Sequence, residues 1–170
     1  MKPPALLKNI IDYCFICLAV IYGLTLISAI LMMFTDPGLP IEVNDKIVED
    51  LTPTVIVFIL GSLLTSGIFV YVVFLFRKLV RSFFNGKFFT RLQVSLFNLI
   101  GQLIILNSIA ELILDFLANI FLNFQAKVEV EIGTSYDSFF FKLVMGLFLL
   151  YLARLFDNAK QLREESELTV

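Results

Sequence analysis

Four long apolar runs limit what this chain can become. They cover about residues 10–34, 54–76, 94–120 and 139–158, with polar stretches between them. A helix needs roughly 20 apolar residues to cross a hydrocarbon core about 30 Å thick. In lipid every backbone N–H and C=O must be satisfied within its own segment, so runs of this kind are helices. Transmembrane barrel strands are about ten residues long and alternate in polarity; these runs are too long and too evenly apolar. The expected fold is therefore all-α and integral to a membrane: one four-transmembrane-helix bundle over residues 1–170, with residues 159–170 as a tail.

Water could not be the only solvent for such a chain. Hydrophobic residues make up 59% of its 170 positions and charged residues 16%, against about 45–50% and 25% in soluble domains. The first run follows Lys2 and Lys8, the pattern of a signal peptide. A signal core is only about 7–15 residues long and ends at small residues, whereas this run is longer and ends in Met32-Met33-Phe34. It reads as a retained span.

Basic residues orient the spans, because Lys and Arg accumulate on the cytoplasmic side. Lys2 and Lys8 precede the first run. Arg77, Lys78, Arg81, Lys87 and Arg91 form a basic loop after the second, and Arg154, Lys160 and Arg163 lie in the tail. The two other loops hold only Lys46 and Lys127, against Asp36, Glu42, Asp45, Glu49, Asp50, Glu129, Glu131 and Asp137. Both termini are expected in the cytoplasm and the acidic loops outside. Val128-Glu129-Val130-Glu131-Ile132 alternates like a short strand, and Leu39–Val43 is a weaker candidate. Two readings stay open: the segments pair as a small cap over the outer helix ends, or they are two irregular polar loops.

The third run carries a polar stripe. Asn107, Glu111, Asp115, Asn119 and Asn123 recur at steps of four, which places them on one slowly drifting helix face. Ionisable groups within a membrane are costly and turn toward protein or water. Counting residues from the membrane boundary puts Lys142 level with Asp115, so the expected ion pair is Asp115–Lys142, with Glu111 deeper and a candidate for the protonated form. One reading makes this stripe a proton, ion or ligand site. The other makes it polar glue between helices, worth about 0.6–2 kcal/mol per contact.

Other features read more plainly. Cys14-x-x-Cys17 has the spacing of a redox or metal motif, but it sits in an apolar helix of a chain with no His and no further Cys, so a packing role is expected. Gly23, Ser28, Gly61, Ser62, Thr65, Ser66, Gly67, Gly101, Ser108 and Gly146 punctuate the spans. Small residues four apart let helices approach closely, within a bundle or between two copies. The loop from Arg77 to Phe89 mixes basic and aromatic residues, as interfacial segments do; direct nucleic-acid binding is not expected. In the tail, Leu155, Phe156, Ala159 and Leu162 share one helical face, suited to docking on the inner loop or on a soluble partner.

Enzyme signatures are missing: no His-Glu-x-x-His, no phosphate-binding Gly-rich loop, no Gly-x-Ser-x-Gly. Glu111 and Asp115 are one turn apart on the same helix, a poor arrangement for an aspartyl dyad. A non-enzymatic protein without cofactor or metal is expected.

Two stretches carry a resemblance. Phe83-Phe84-Asn85-Gly86-Lys87-Phe88-Phe89-Thr90-Arg91-Leu92, with Gly101 beyond it, is one. Leu155-Phe156-Asp157-Asn158-Ala159-Lys160-Gln161-Leu162-Arg163-Glu164-Glu165, then Glu167-Leu168-Thr169-Val170, is the other. With the four-span plan they resemble the small bacterial membrane proteins of domain-of-unknown-function family 2975. Asn158-Ala159 stands where family members commonly show a glycine. The resemblance implies the bacterial inner membrane and allows pairing with a small helix-turn-helix transcription regulator. It brings no catalytic residues. The expected role is a regulator or sensor that contacts a soluble cytoplasmic partner. The alternatives are a small transporter or an accessory subunit of a larger membrane complex using the polar stripe, and a bundle whose partner is another copy of itself.

Overall fold

The computed structural model describes residues 5–34, 41–43, 46–48, 53–84, 90–122 and 134–168. Four helices hold nearly all of them: α1 (Ala5–Phe34), α2 (Pro53–Phe84), α3 (Arg91–Leu122) and α4 (Thr134–Leu168). Each is long and apolar enough to cross a membrane. Their outward faces are greasy through the apolar runs: Val57 is 64% exposed, Phe116 64% and Phe141 67%. Water would penalise that surface by about 25 cal/mol per Å², whereas lipid tails are as apolar as the side chains themselves. The chain is a multi-pass membrane protein.

The helices outrun the apolar runs that foretell them. A helix ends where its backbone partners end, not where the lipid does. Thus α2 continues through Arg77, Lys78 and Arg81 to Phe84, and most of the expected basic loop is helix. Arg81 in its last turn complements the negative end of the helix dipole. Pro53 opens α2 at a position where a missing N–H costs nothing. α3 opens on a reciprocal cap: the Gln93 backbone N–H donates to Thr90 Oγ1 (3.3 Å), and the Thr90 N–H donates to Gln93 Oε1 (3.1 Å). α4 stays helical through most of the expected tail.

Between α1 and α2 lies a short antiparallel hairpin, β1 (Ile41–Val43) on β2 (Lys46–Val48), with Ile41 opposite Val48 and Val43 opposite Lys46. The strand at 41–43 therefore has a local partner. A hairpin of neighbours closes a short loop; residues 128–132, the other candidate strand in the sequence, lie outside the described ones.

Packing follows chain order, with α1 on α2, α2 on α3, and α3 on α4, the last pair being the most extensive. One cluster joins the final three helices. Val72, Leu75 and Leu79 of α2 meet Leu96, Phe97 and Ile100 of α3 and Leu149 and Ala153 of α4. Beside it Phe83, Phe97 and Phe156 pack at tilted to edge-on angles, with centroids 5.0–6.2 Å apart. The α3–α4 crossing depends on two glycines. A Cβ at Gly101 would lie 2.9 Å from the Gly146 carbonyl oxygen, and one at Gly146 would lie 3.1 Å from that of Gly101. These two small residues bring backbone onto backbone.

α1 is the outlier. Among its described side chains only Ala29 is buried. It is fastened to α2 at three levels: Tyr22 Oη donates to the Leu63 carbonyl (3.3 Å) over Gly67, Phe15 packs on Phe74 (5.7 Å between centroids), and Asp12 reaches two arginines.

Candidate functional site

The polar stripe of α3 faces α4 in its buried part. Asn107 is 4% exposed and Ser108 1%. Ser108 Oγ donates across the interface to the Phe139 carbonyl (3.4 Å). Asn107 Nδ2 donates to Glu111 Oε1 at 2.8 Å, one turn further along α3. The second carboxylate oxygen, Glu111 Oε2, accepts from Lys142 Nζ of α4. Both Glu111 oxygens are thereby occupied. The Asn107 side-chain oxygen is buried without a hydrogen-bond partner.

The ion pair that Lys142 makes is with Glu111, one turn from the expected Asp115. Residue counting fixes a depth only to within a turn, about 5.4 Å, and a lysine stem is long enough to reach across that interval. Lys142 uses the reach to meet Glu111. Glu111 and Lys142 are each about one-third exposed at the side chain (34% and 33%), so the pair lies at the edge of the α3–α4 interface. Asp115 is half-buried. The Asn119 side chain and Asn123 lie outside what the structure describes. Chemically, the cluster can clamp two helices and present one carboxylate held by two donors. No group of three or more His, Cys, Asp or Glu side chains that could hold a metal occurs among the described residues.

A second ionic cluster ties α1 to α2, and residue patterning alone does not single it out. Asp12 Oδ1 accepts from Arg77 Nε (2.5 Å) and from Arg81 Nη2 (3.1 Å), and its Oδ2 accepts from Arg81 Nη2 (2.9 Å). The Arg77 guanidinium also lies over the Phe15 ring, 5.0 Å from its centroid. A signal was present in the sequence. Asp12 is a lone carboxylate near the start of the first apolar run, placed where a returning second helix would bring Arg77 level with it. Of the other basic-loop residues, Lys78 and Arg91 are not buried and Lys87 lies outside the described residues.

The expected docking face of the tail divides. Phe156 sits in the aromatic cluster and Ala159 is half-buried, while Leu155 and Leu162 are exposed at 43% and 67%. Lys160 pairs with Glu164 one turn on (3.6 Å). Cys14 and Cys17 are free and exposed on α1. The small residues also divide: Gly61 meets Leu114 and Thr65 is buried, whereas Ser66 faces outward.

Residues 39–170 match the family described as protein of unknown function, DUF2975. The chain belongs to that family. The stretch matched in this DUF2975 protein holds the glycine crossing, the Asn107–Glu111–Lys142 cluster and the whole of α4. α1, with Asp12, begins before it. No curated relative and no solved structure matches the chain.

Proposed function

We propose that this DUF2975 protein is a non-enzymatic regulator or sensor of the bacterial inner membrane. Both its termini are cytoplasmic, and its α4 extension docks a soluble partner of the helix-turn-helix regulator class. One observation carries the reading: α4 remains helical to Leu168, well past its apolar run, with Phe156 pinned in the aromatic cluster and Leu162 exposed among charged neighbours. A rigid, anchored helix end with an uncovered leucine is pre-organised for helix-in-groove recognition. The distribution of Lys and Arg supports the orientation.

Affinity purification of the full chain in mild detergent tests this. The expected result is recovery of a helix-turn-helix protein that is lost from Leu162→Asp while the variant's unfolding midpoint stays unchanged. Recovery of only membrane subunits or of the chain itself, or full retention by Leu162→Asp, overturns the reading.

The Asn107–Glu111–Lys142 cluster favours a second reading, a small transporter or accessory subunit using that polar site. Glu111→Gln with Asp115→Asn would then abolish activity in a folded protein; loss of stability alone would make the stripe packing.

A further inference from the structure

We propose that Arg77 and Arg81, held side by side by Asp12, seat the phosphate of an anionic phospholipid. The argument begins with charge. One carboxylate needs one cation, yet Asp12 holds two guanidinium groups, so the triad keeps a surplus of one positive charge (two minus one). Each guanidinium carries five N–H donors in a fixed fork. Asp12 engages one nitrogen of each, and the remaining N–H groups have no hydrogen-bond acceptor among the described residues. The forks are also fixed in place. Asp12 and the Phe15 ring hold Arg77, and the two arginines stand one turn apart on one face of α2. Such ordered, partly exposed guanidinium edges fit the non-ester oxygens of a phosphate through charge-assisted hydrogen bonds.

Depth selects the source of that phosphate. From Pro53 to Phe76 α2 is apolar, a length of roughly 36 Å at 1.5 Å per residue. That exceeds a hydrocarbon core of about 30 Å, so Arg77 and Arg81 emerge at headgroup level. One turn toward the hydrocarbon, Ile16 of α1 and Phe74 of α2 are exposed at 52% and 42%, an apolar wall for acyl chains. Free phosphate would gain the guanidinium contacts but not that wall. A zwitterionic choline headgroup brings its own cation, which opposes the surplus positive charge. The ligand class is therefore an anionic diester lipid such as phosphatidylglycerol.

Native mass spectrometry of the full chain in detergent tests the seat. It would be titrated with phosphatidylglycerol, with phosphatidylcholine of the same acyl chains, and with inorganic phosphate. Phosphatidylglycerol is expected to bind about tenfold tighter than phosphatidylcholine, on the order of one charge-assisted bond. Arg81→Gln should bring that preference to about twofold or less. Arg81→Lys, which keeps the charge and loses the fork, should weaken it as well. Arg154→Gln, which removes a positive charge from α4, should leave it intact. A preference that survives both Arg81 variants, or that falls equally in Arg154→Gln, overturns the proposal. So does displacement of the lipid by inorganic phosphate at matching concentration.

Discussion

Gly101 of α3 and Gly146 of α4 face each other with no room for a side chain on either, since a Cβ on the first would stand 2.9 Å from the carbonyl oxygen of the second. The obstacle at that point is backbone, which cannot turn aside as a flexible side chain can. At Gly146 a Cβ would meet the Ile105 side chain at 2.6 Å and the Gly101 carbonyl oxygen at 3.1 Å, so Gly146→Val would have to displace Ile105 and push the helices apart along the largest helix pair of the fold. Overpacking of this kind costs about 1–3 kcal/mol, and the Ser108–Phe139 and Glu111–Lys142 contacts on the same interface should loosen with it. Gly23, where a Cβ would meet nothing within 4 Å, is the internal control. Gly23→Ala should change stability by less than about 0.5 kcal/mol. Detergent unfolding titrations followed by far-UV circular dichroism would check both; equal effects at the two sites would mean that the crossing does not depend on Gly146.

The Glu111–Lys142 pair should behave as a coupled unit. Lys142→Met leaves a partly buried carboxylate with only the Asn107 amide as donor. Glu111→Gln leaves the ammonium without its counter-charge. Each single change should destabilise, and the double variant should lose less than the sum of the two. The coupling expected for interhelical polar contacts in a bilayer is about 0.6–1.7 kcal/mol. A double-mutant cycle on unfolding free energies measures it, and strict additivity would mean that the pair contributes nothing to holding α3 and α4 together.

The reciprocal cap at the start of α3 gives a smaller and more local expectation. Thr90→Ala removes the hydroxyl that accepts the Gln93 N–H, at a cost of about 1 kcal/mol, while Thr90→Ser should retain most of the interaction. Hydrogen exchange at the first turn of α3 should rise in the alanine variant alone. Unchanged protection there would show that the Thr90 carbonyl, which also accepts the Gln93 N–H (3.0 Å), and the full burial of Gln93 are sufficient to start the helix.

Particular residues show how far the sequence can be read. The four spans are legible because lipid imposes a minimum apolar length, and that length is written directly in the chain. Helix ends are less legible. Arg77, Lys78 and Arg81 look like a loop by polarity, yet good helix formers continue a helix into water without penalty. Contacts distant in sequence are the least legible. Asp12 meets Arg77 and Arg81 only because α1 and α2 pack antiparallel at that height. Lys142 meets Glu111, one turn from the position that counting points to, because its flexible stem spans an ambiguity that counting leaves open. The strand at Ile41–Val43 is visible in the sequence, but its partner at Lys46–Val48 alternates less clearly than residues 128–132 and so gives a weaker signal.

The aromatic cluster allows the two faces of the α4 extension to be separated by experiment. Phe156 touches both Phe83 and Phe97, with centroids 5.9 and 5.0 Å away. Fully buried Phe→Ala changes cost about 3–5 kcal/mol; Phe156 is only half-buried, which lowers the expected loss to about 2 kcal/mol. The change should also unpin the end of α4, so limited proteolysis after Arg163 should accelerate. Leu162, outside the cluster and largely exposed, contributes no such anchor: Leu162→Ala should leave both stability and cleavage rate near those of the parent. If Leu162→Ala accelerates cleavage as much as Phe156→Ala does, the extension is held along its whole length by the protein itself, and its outward face is not available for a partner.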